Sequence, residues 1–149
     1  MNIRVICVGK LKEKYWKQAV AEYSKRLGAF CRLEIIEVKE SPSDDVAEEG
    51  KSLLARIKGR DYVIALEIEG KSLDSPGLAE KIDKLGIGGR SDIDFIIGGS
   101  NGLSKEVSDR ADFSLSFSAM TFPHQMMRVI LLEQIYRSFK INRHEKYHK

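Results

Sequence analysis

Phe95-Ile96-Ile97-Gly98-Gly99-Ser100-Asn101-Gly102-Leu103-Ser104 is the stretch whose reading decides the fold. Three consecutive apolar residues centre a buried strand. The glycines then turn the chain, and Ser104 offers an N-cap to a short polar helix. Working outward, the same alternation of short β-branched runs and longer amphipathic ones recurs. Ile3 to Val8, Leu33 to Val38, Tyr62 to Leu66 and Phe113 to Phe117 read as further strands. Tyr15 to Leu27 reads as a helix with Trp16, Val20, Tyr23 and Leu27 on one stripe. After Ser41-Pro42, Ser43 is the expected N-cap of a helix ending near Gly59, with Asp44, Asp45, Glu48 and Glu49 complementing its positive end. Leu78 to Leu85 reads as a short helix stopped by Gly86, and Pro123 opens a long helix to about Lys140. Strand–helix alternation throughout predicts an α/β fold, a largely parallel sheet covered on both faces, in one domain over residues 1–149.

Composition agrees with a globular chain. Hydrophobic residues make up 42% and charged residues 32% of 149, which excludes disorder and membrane embedding as expectations. The opening MNIRVICVGK, with Arg4 inside its apolar run and no small-residue cleavage site, reads as a first strand and not a signal peptide. Cys7 and Cys31 show no Cys-x-x-Cys spacing, and Cys7 lies inside that strand, so a buried free thiol there and a reducing cytoplasm are expected. Residues 137–149 carry five basic residues against Glu145, hence +4 of a total of +3, leaving −1 for the remainder. Such a tail suits a phosphate-rich partner, or is simply a solvated end. In the last helix only Arg128 interrupts the apolar run from Met126 to Leu132, with Ile135, Tyr136 and Phe139 beyond. Apolar residues on most sides imply a second buried face, met by a second copy of the chain or by the helix's own domain.

Three segments leave strand ends, where ligands of open α/β sheets bind. In Leu66-Glu67-Ile68-Glu69-Gly70-Lys71, Gly70 permits a turn and Glu67 or Glu69 could accept hydrogen bonds from a ribose or an amino group. The turn Gly98 to Gly102 lets backbone approach a ligand, or is a tight turn only. Its G-G-x-x-G spacing is neither the dinucleotide fingerprint nor a P-loop. The third segment, Phe117-Ser118-Ala119-Met120-Thr121-Phe122 before Pro123 and His124, could wrap an adenine with backbone hydrogen bonds. Three histidines and two separated cysteines argue against a zinc or iron site, and no G-x-S-x-G nucleophile motif is present. These residues suit a reaction whose electrophile arrives on a cofactor.

Those segments, in that order, with Met120-Thr121-Phe122-Pro123-His124-Gln125 running into Arg128-Val129-Ile130-Leu131-Leu132-Glu133-Gln134-Ile135-Tyr136-Arg137 and the ending Tyr147-His148-Lys149, closely resemble one family over the whole chain. It is the SPOUT-class pseudouridine-N3 methyltransferases of bacterial large-subunit ribosomal RNA (the ribosomal RNA large subunit methyltransferase H family). The chain departs from many members at Glu67, where they have Asp, and at Lys146, where they often have Pro. The resemblance implies a SPOUT-type parallel-sheet domain with a C-terminal trefoil knot, a homodimer, and S-adenosylmethionine held in the knot. It implies cofactor contacts at Leu66, Gly98, Gly99 and Gly102 and along Phe117, Ser118, Ala119, Met120, Thr121 and Phe122. Arg137, Tyr147 and His148 would approach the target base, across the dimer interface, in ribosomal RNA within the assembled ribosome. Arg137 would stabilise the base anion, and His148 is the candidate proton relay. A nucleotide-dependent oxidoreductase should show the missing fingerprint, and a non-catalytic ribosome-binding protein would need no cofactor loops.

Overall fold

The computed structural model describes all 149 residues. Ten elements alternate: β1 (Asn2–Val8), α1 (Lys14–Leu27), β2 (Arg32–Val38), α2 (Val46–Leu54), β3 (Tyr62–Ser72), α3 (Ser75–Ile87), β4 (Asp92–Ile97), α4 (Lys105–Arg110), β5 (Phe113–Ser116) and α5 (His124–Asn142). The five strands form one sheet in the order β2-β1-β4-β3-β5, and every pairing is parallel.

Alternate residues of each strand feed two cores, as a period of two requires. Ile3, Val5, Cys7, Ile64, Ile93 and Phe95 pack with α1, α3 and α5. Ile6, Val8, Val63 and Ile96 pack on the other face with Leu53 of α2 and Val107 of α4. The sheet is therefore covered on both sides. Cys7 and Cys31 are free, and burial pushes each thiol up to about 11. No helix is long and apolar enough to cross a membrane.

Helix boundaries differ from expectation in α2 and at both ends of α3, which begins at Ser75 and not at Leu78. Asp45, not Ser43, caps α2: its carboxylate accepts from Ala47 N and Glu48 N. Ser41 Oγ takes Asp45 N instead. The same helix stops at Leu54 and not near Gly59: Arg56 N and Ile57 N already bond three residues back, to Leu53 O and Leu54 O, and Arg56 O accepts from Arg4 Nη2 at 2.9 Å. Helix α3 runs through Gly86 to Ile87 and is capped at Gly88.

Arg4 has a larger task at the amino edge of the sheet. Its Nε and Nη2 grip both oxygens of Asp94 at 2.9 and 2.7 Å, and Nη2 also reaches Asp61 at 2.7 Å. The carboxylate side chains are 1% and 5% exposed. Burial lifts Asp94 to about 6, while its hydrogen bonds from Arg4 pull the other way.

Arg128 is a second buried cation. It interrupts the apolar run in sequence, yet it is 1% exposed. Its guanidinium donates to Glu37 Oε2 at 2.7 Å, Val8 O at 2.9 Å and Gly9 O at 2.7 Å. It thus locks the carboxyl end of β1 to the start of α5. The helix itself lies between α1 and α3 against its own sheet. Tyr136 meets Tyr23 and Phe30 edge-on, and Phe139 stacks on Phe30. Much of the apolar surface on α5 is thus covered within the chain.

Candidate functional site

At the carboxyl ends of β3, β4 and β5 the chain leaves a cleft of about 870 Å³. That is within the usual range for small-molecule sites. Its walls are the bulged middle of β3 and the segments that follow β4 and β5. Of the ten residues expected to meet a cofactor, Leu66, Gly98, Gly99, Gly102, Phe117, Ser118, Met120, Thr121 and Phe122 line it; Ala119 does not. Three separate stretches of sequence are thus brought to one place by the sheet order.

Each wall has a local cause. Gly99 to Gly102 is a tight turn closed by Gly102 N to Gly99 O at 3.1 Å, with Gly102 at φ +79°. A side chain at Gly98 would lie 2.5 Å from Gly102 O, so the turn closes only with glycine there. Turn and ligand wall are therefore one feature.

The β3 wall differs from a simple turn. Strand β3 continues to Ser72, and both Leu66 and Lys71 stand opposite Leu115 of β5, so Glu67 to Gly70 bulge outward into the cleft side. Gly70 makes no reverse turn; it lets the backbones of β3 and β5 touch, since a Cβ there would lie 2.8 Å from Ser114 O. Glu67 accepts from Ser108 Oγ on one oxygen and from Ser114 Oγ, at 2.5 Å, on the other. That fastens the bulge to α4 and β5. Glu69 is exposed and lines the cleft, which makes it the freer acceptor.

The β5 wall ends in Ser118, whose Oγ accepts from Met120 N at 3.0 Å. Met120 is 73% exposed and Ile68, across the cleft, 52%. Large apolar groups left in water at a cleft mouth are suited to covering an organic ligand or a second surface. Pro123 and His124 complete the rim.

Arg137, Tyr147 and His148 do not reach the cleft. They gather at the far end of α5, with Arg137 thirteen residues beyond His124, or about 20 Å along the helix axis. There Glu133 organises them. Its Oε1 accepts from Arg137 Nη2 at 2.8 Å and Tyr147 Oη at 2.9 Å, and its Oε2 accepts from Arg137 Nε at 3.2 Å. Burial and that hydrogen bond to Glu133 raise the Tyr147 phenol to about 12, so it remains a donor. Arg137 Nη1 lies 3.2 Å from His148 Nδ1. A guanidinium can only donate, so Nδ1 accepts and the neutral ring carries its proton on Nε2. Glu133 holds this cluster together, and sequence alone did not single it out. The only signal was its place one helical turn before Arg137, the spacing of an i,i+4 ion pair.

A parallel sheet covered on both faces, with a cleft where three strands end, places the chain among α/β proteins whose ligands bind beyond the carboxyl ends of their strands. A family model described as "Predicted SPOUT methyltransferase" matches residues 1–148. A protein of Clostridium novyi (strain NT), named ribosomal RNA large subunit methyltransferase H, is 56% identical over 159 aligned residues, covering all of both chains. The solved structure of a probable methylase family protein from Haemophilus influenzae Rd KW20 shares the fold at a TM-score of 0.58 and 12% identity, over 99% of this chain and 70% of that one. The chain belongs to the SPOUT methyltransferase family.

Proposed function

We propose that this protein transfers the methyl group of S-adenosylmethionine to N3 of a pseudouridine in bacterial large-subunit ribosomal RNA. The reading is carried by the convergence of nine expected cofactor residues on one cleft. It is supported by the full-length likeness to a protein named as a ribosomal RNA methyltransferase. The cleft fits the cofactor by shape and chemistry. The glycine turn offers backbone to polar edges, and Leu66, Leu115 and Phe117 offer apolar surface to a base.

S-adenosylmethionine supplies an electrophilic methyl group on a sulfonium. The protein's own residues hold the reactants in line and stabilise the deprotonated imide of the base. Arg137 places a fixed positive charge for that anion. With Nδ1 accepting from Arg137, His148 presents Nε2–H as a second donor to the anion. This favours anion stabilisation over proton relay for His148. Tyr147 has its hydroxyl taken by Glu133 and the Arg137 guanidinium lies 4.7 Å from its ring centroid, so stacking on the base uses the ring face that Arg137 leaves open. The N–C bond forms as the C–S bond breaks, and the imide proton leaves to water.

The working unit is a homodimer in the cytoplasm, acting on the assembled ribosome. The distance along α5 between the cleft and Arg137 supports the dimer, because one chain cannot fold its own tail end onto its own cleft without dismantling the Glu133 cluster. The C-terminal segment is threaded as a trefoil knot. The match to the SPOUT methyltransferase family over residues 1–148 supports such threading. Leu131 and Ile135 are fully buried in their own core, whereas Ile130 is only partly covered. Ile130→Glu should therefore convert a dimer to a monomer in light scattering, since an unpaired charge buried at an interface costs about 3–5 kcal/mol. A wild type that scatters as a monomer would refute the assembly.

The decisive test of function is methyl transfer from labelled S-adenosylmethionine to ribosomes, followed by nucleoside mass spectrometry. Removing Tyr147 to Lys149 should leave cofactor affinity within a few-fold, because the cleft lies elsewhere. Methylation should fall at least about tenfold, roughly 1.4 kcal/mol of transition-state stabilisation. Full activity in the truncated protein would remove the tail from the site.

A further inference from the structure

One block of unpaired positive charge, four lysines within eight residues, lies outside the tail, where Arg143, Lys146 and Lys149 are the cations left without an ion pair. Arg137 is paired with Glu133 and Lys140 with Glu145, and the Arg143 guanidinium sits 4.4 Å over the Phe30 ring. By contrast, the segment Gly9-Lys10-Leu11-Lys12-Glu13-Lys14-Tyr15-Trp16-Lys17 exposes Lys10, Lys12, Lys14 and Lys17 to solvent. None of the four enters an ion pair. The nearby acids are few: Glu13 in the segment itself and Glu40 close to Gly9. Glu37 is already engaged by Arg128.

Two features make this patch more than a solvated face. Lys14 and Lys17 occupy the first turn of α1, the positive end of the helix, where cations are disfavoured. No acid stands there, and Glu13 at the N-cap makes no capping hydrogen bond. Stability alone would favour the opposite choice, as α2 shows with Glu48 and Glu49 in its first turn. Tyr15, next to these lysines, is 59% exposed and meets Trp16 edge-on at 4.9 Å. An exposed aromatic amid lysines is the composition of a surface that takes phosphates and an unstacked base together.

The patch is also fixed beside the cleft. Lys12 N donates to Gln125 Oε1 at 3.0 Å, and Leu11 N to Glu37 Oε2 at 3.1 Å. Arg128 holds Gly9 O. Gln125 follows His124, which rims the cleft, and β1 pairs with β4 as far as Cys7 opposite Ile97, the residue before the glycine turn. We infer that Lys10, Lys12, Lys14 and Lys17, with Tyr15, form the surface that holds the ribosomal RNA backbone beside the cofactor cleft. This rests on the RNA-methyltransferase reading above and names the substrate-binding face of that same site.

The test replaces all four lysines with Gln in the full chain and, separately, with Arg. These side chains are exposed, so the fold should survive both changes. Binding of ribosomal RNA is measured as a function of salt, and methyl transfer to ribosomes as kcat and KM. For the Gln variant the log–log salt slope should become shallower by about 3, because each lost phosphate contact removes about 0.7–0.9. KM for ribosomes should rise at least about tenfold, with kcat within about threefold and S-adenosylmethionine affinity unchanged. The Arg variant, which keeps the charge, should stay near wild type. An unchanged salt slope and KM in the Gln variant would overturn the assignment. If the wild type transferred no methyl group, the functional reading would fall, and the salt slopes would still decide whether this face holds RNA.

Discussion

Gly98→Ala is expected to abolish useful cofactor binding while leaving helix content native. The added Cβ would stand 2.5 Å from Gly102 O and 2.8 Å from Gly102 C. Both are backbone atoms of the turn itself, so no rotamer change can relieve the clash. The turn must open, and in opening it displaces the wall where three strand exits meet. S-adenosylmethionine affinity should fall at least about a hundredfold, or roughly 2.7 kcal/mol, by calorimetry. Gly102→Ala makes a graded comparison. Its site is open, but φ is +79°, so strain of about 1 kcal/mol is expected and binding should fall only several-fold. Equal affinities for wild type and Gly98→Ala would remove the glycine turn from the site.

Arg4→Ala should be the most destabilising single change at the amino edge of the sheet. It would leave Asp61 and Asp94, 5% and 1% exposed, facing each other with no cation between them. Breaking a buried ion pair in this way costs about 3–5 kcal/mol. The sign of its pH dependence follows from linkage. Without the guanidinium, burial raises the folded-state pKa of Asp94 further above its unfolded value. A contribution of that kind is fully present below the unfolded pKa and is lost as pH rises through the folded one. The gap between wild type and variant should therefore narrow on going from pH 7.5 to pH 5, in urea titrations at each pH. A gap below about 1 kcal/mol at pH 7.5, or one that widens on acidification, would sink this account. Cofactor affinity of the folded variant should be unaffected, since the cleft lies at the opposite edge.

The site was legible where its chemistry is local in sequence. The glycine turn after β4 and the small and hydroxyl residues after β5 announce themselves within ten residues, and parallel order does the rest. What sequence could not show is pairing across distance. Arg128 reads as a blemish in an apolar run because Glu37 and the Val8 and Gly9 carbonyls are far away along the chain. Arg4 and Asp94 are opposite one another only once β1 and β4 are in register. Charge misleads for the same reason. The tail holds the arithmetic excess, yet part of it is neutralised by Glu133 and Glu145, while the lysines of residues 10–17 remain unpaired. The β3 bulge is a further case: Gly70 suggests a turn, and only the closeness of Ser114 shows that the glycine serves packing between neighbouring strands.

The strand order also sets how the chain can be made. β4 lies between β1 and β3, so a nascent chain that has emerged only as far as α3 holds β1 and β3 with their inner edges unpaired. The middle of the sheet is filled fourth, and until then a vacant slot flanked by Val5, Ile6, Val63 and Ile64 stays open. Such edges invite other strands, and pairings this distant in sequence form slowly. Synthesis should therefore pass through an aggregation-prone window that closes when residues 92–97 clear the ribosome.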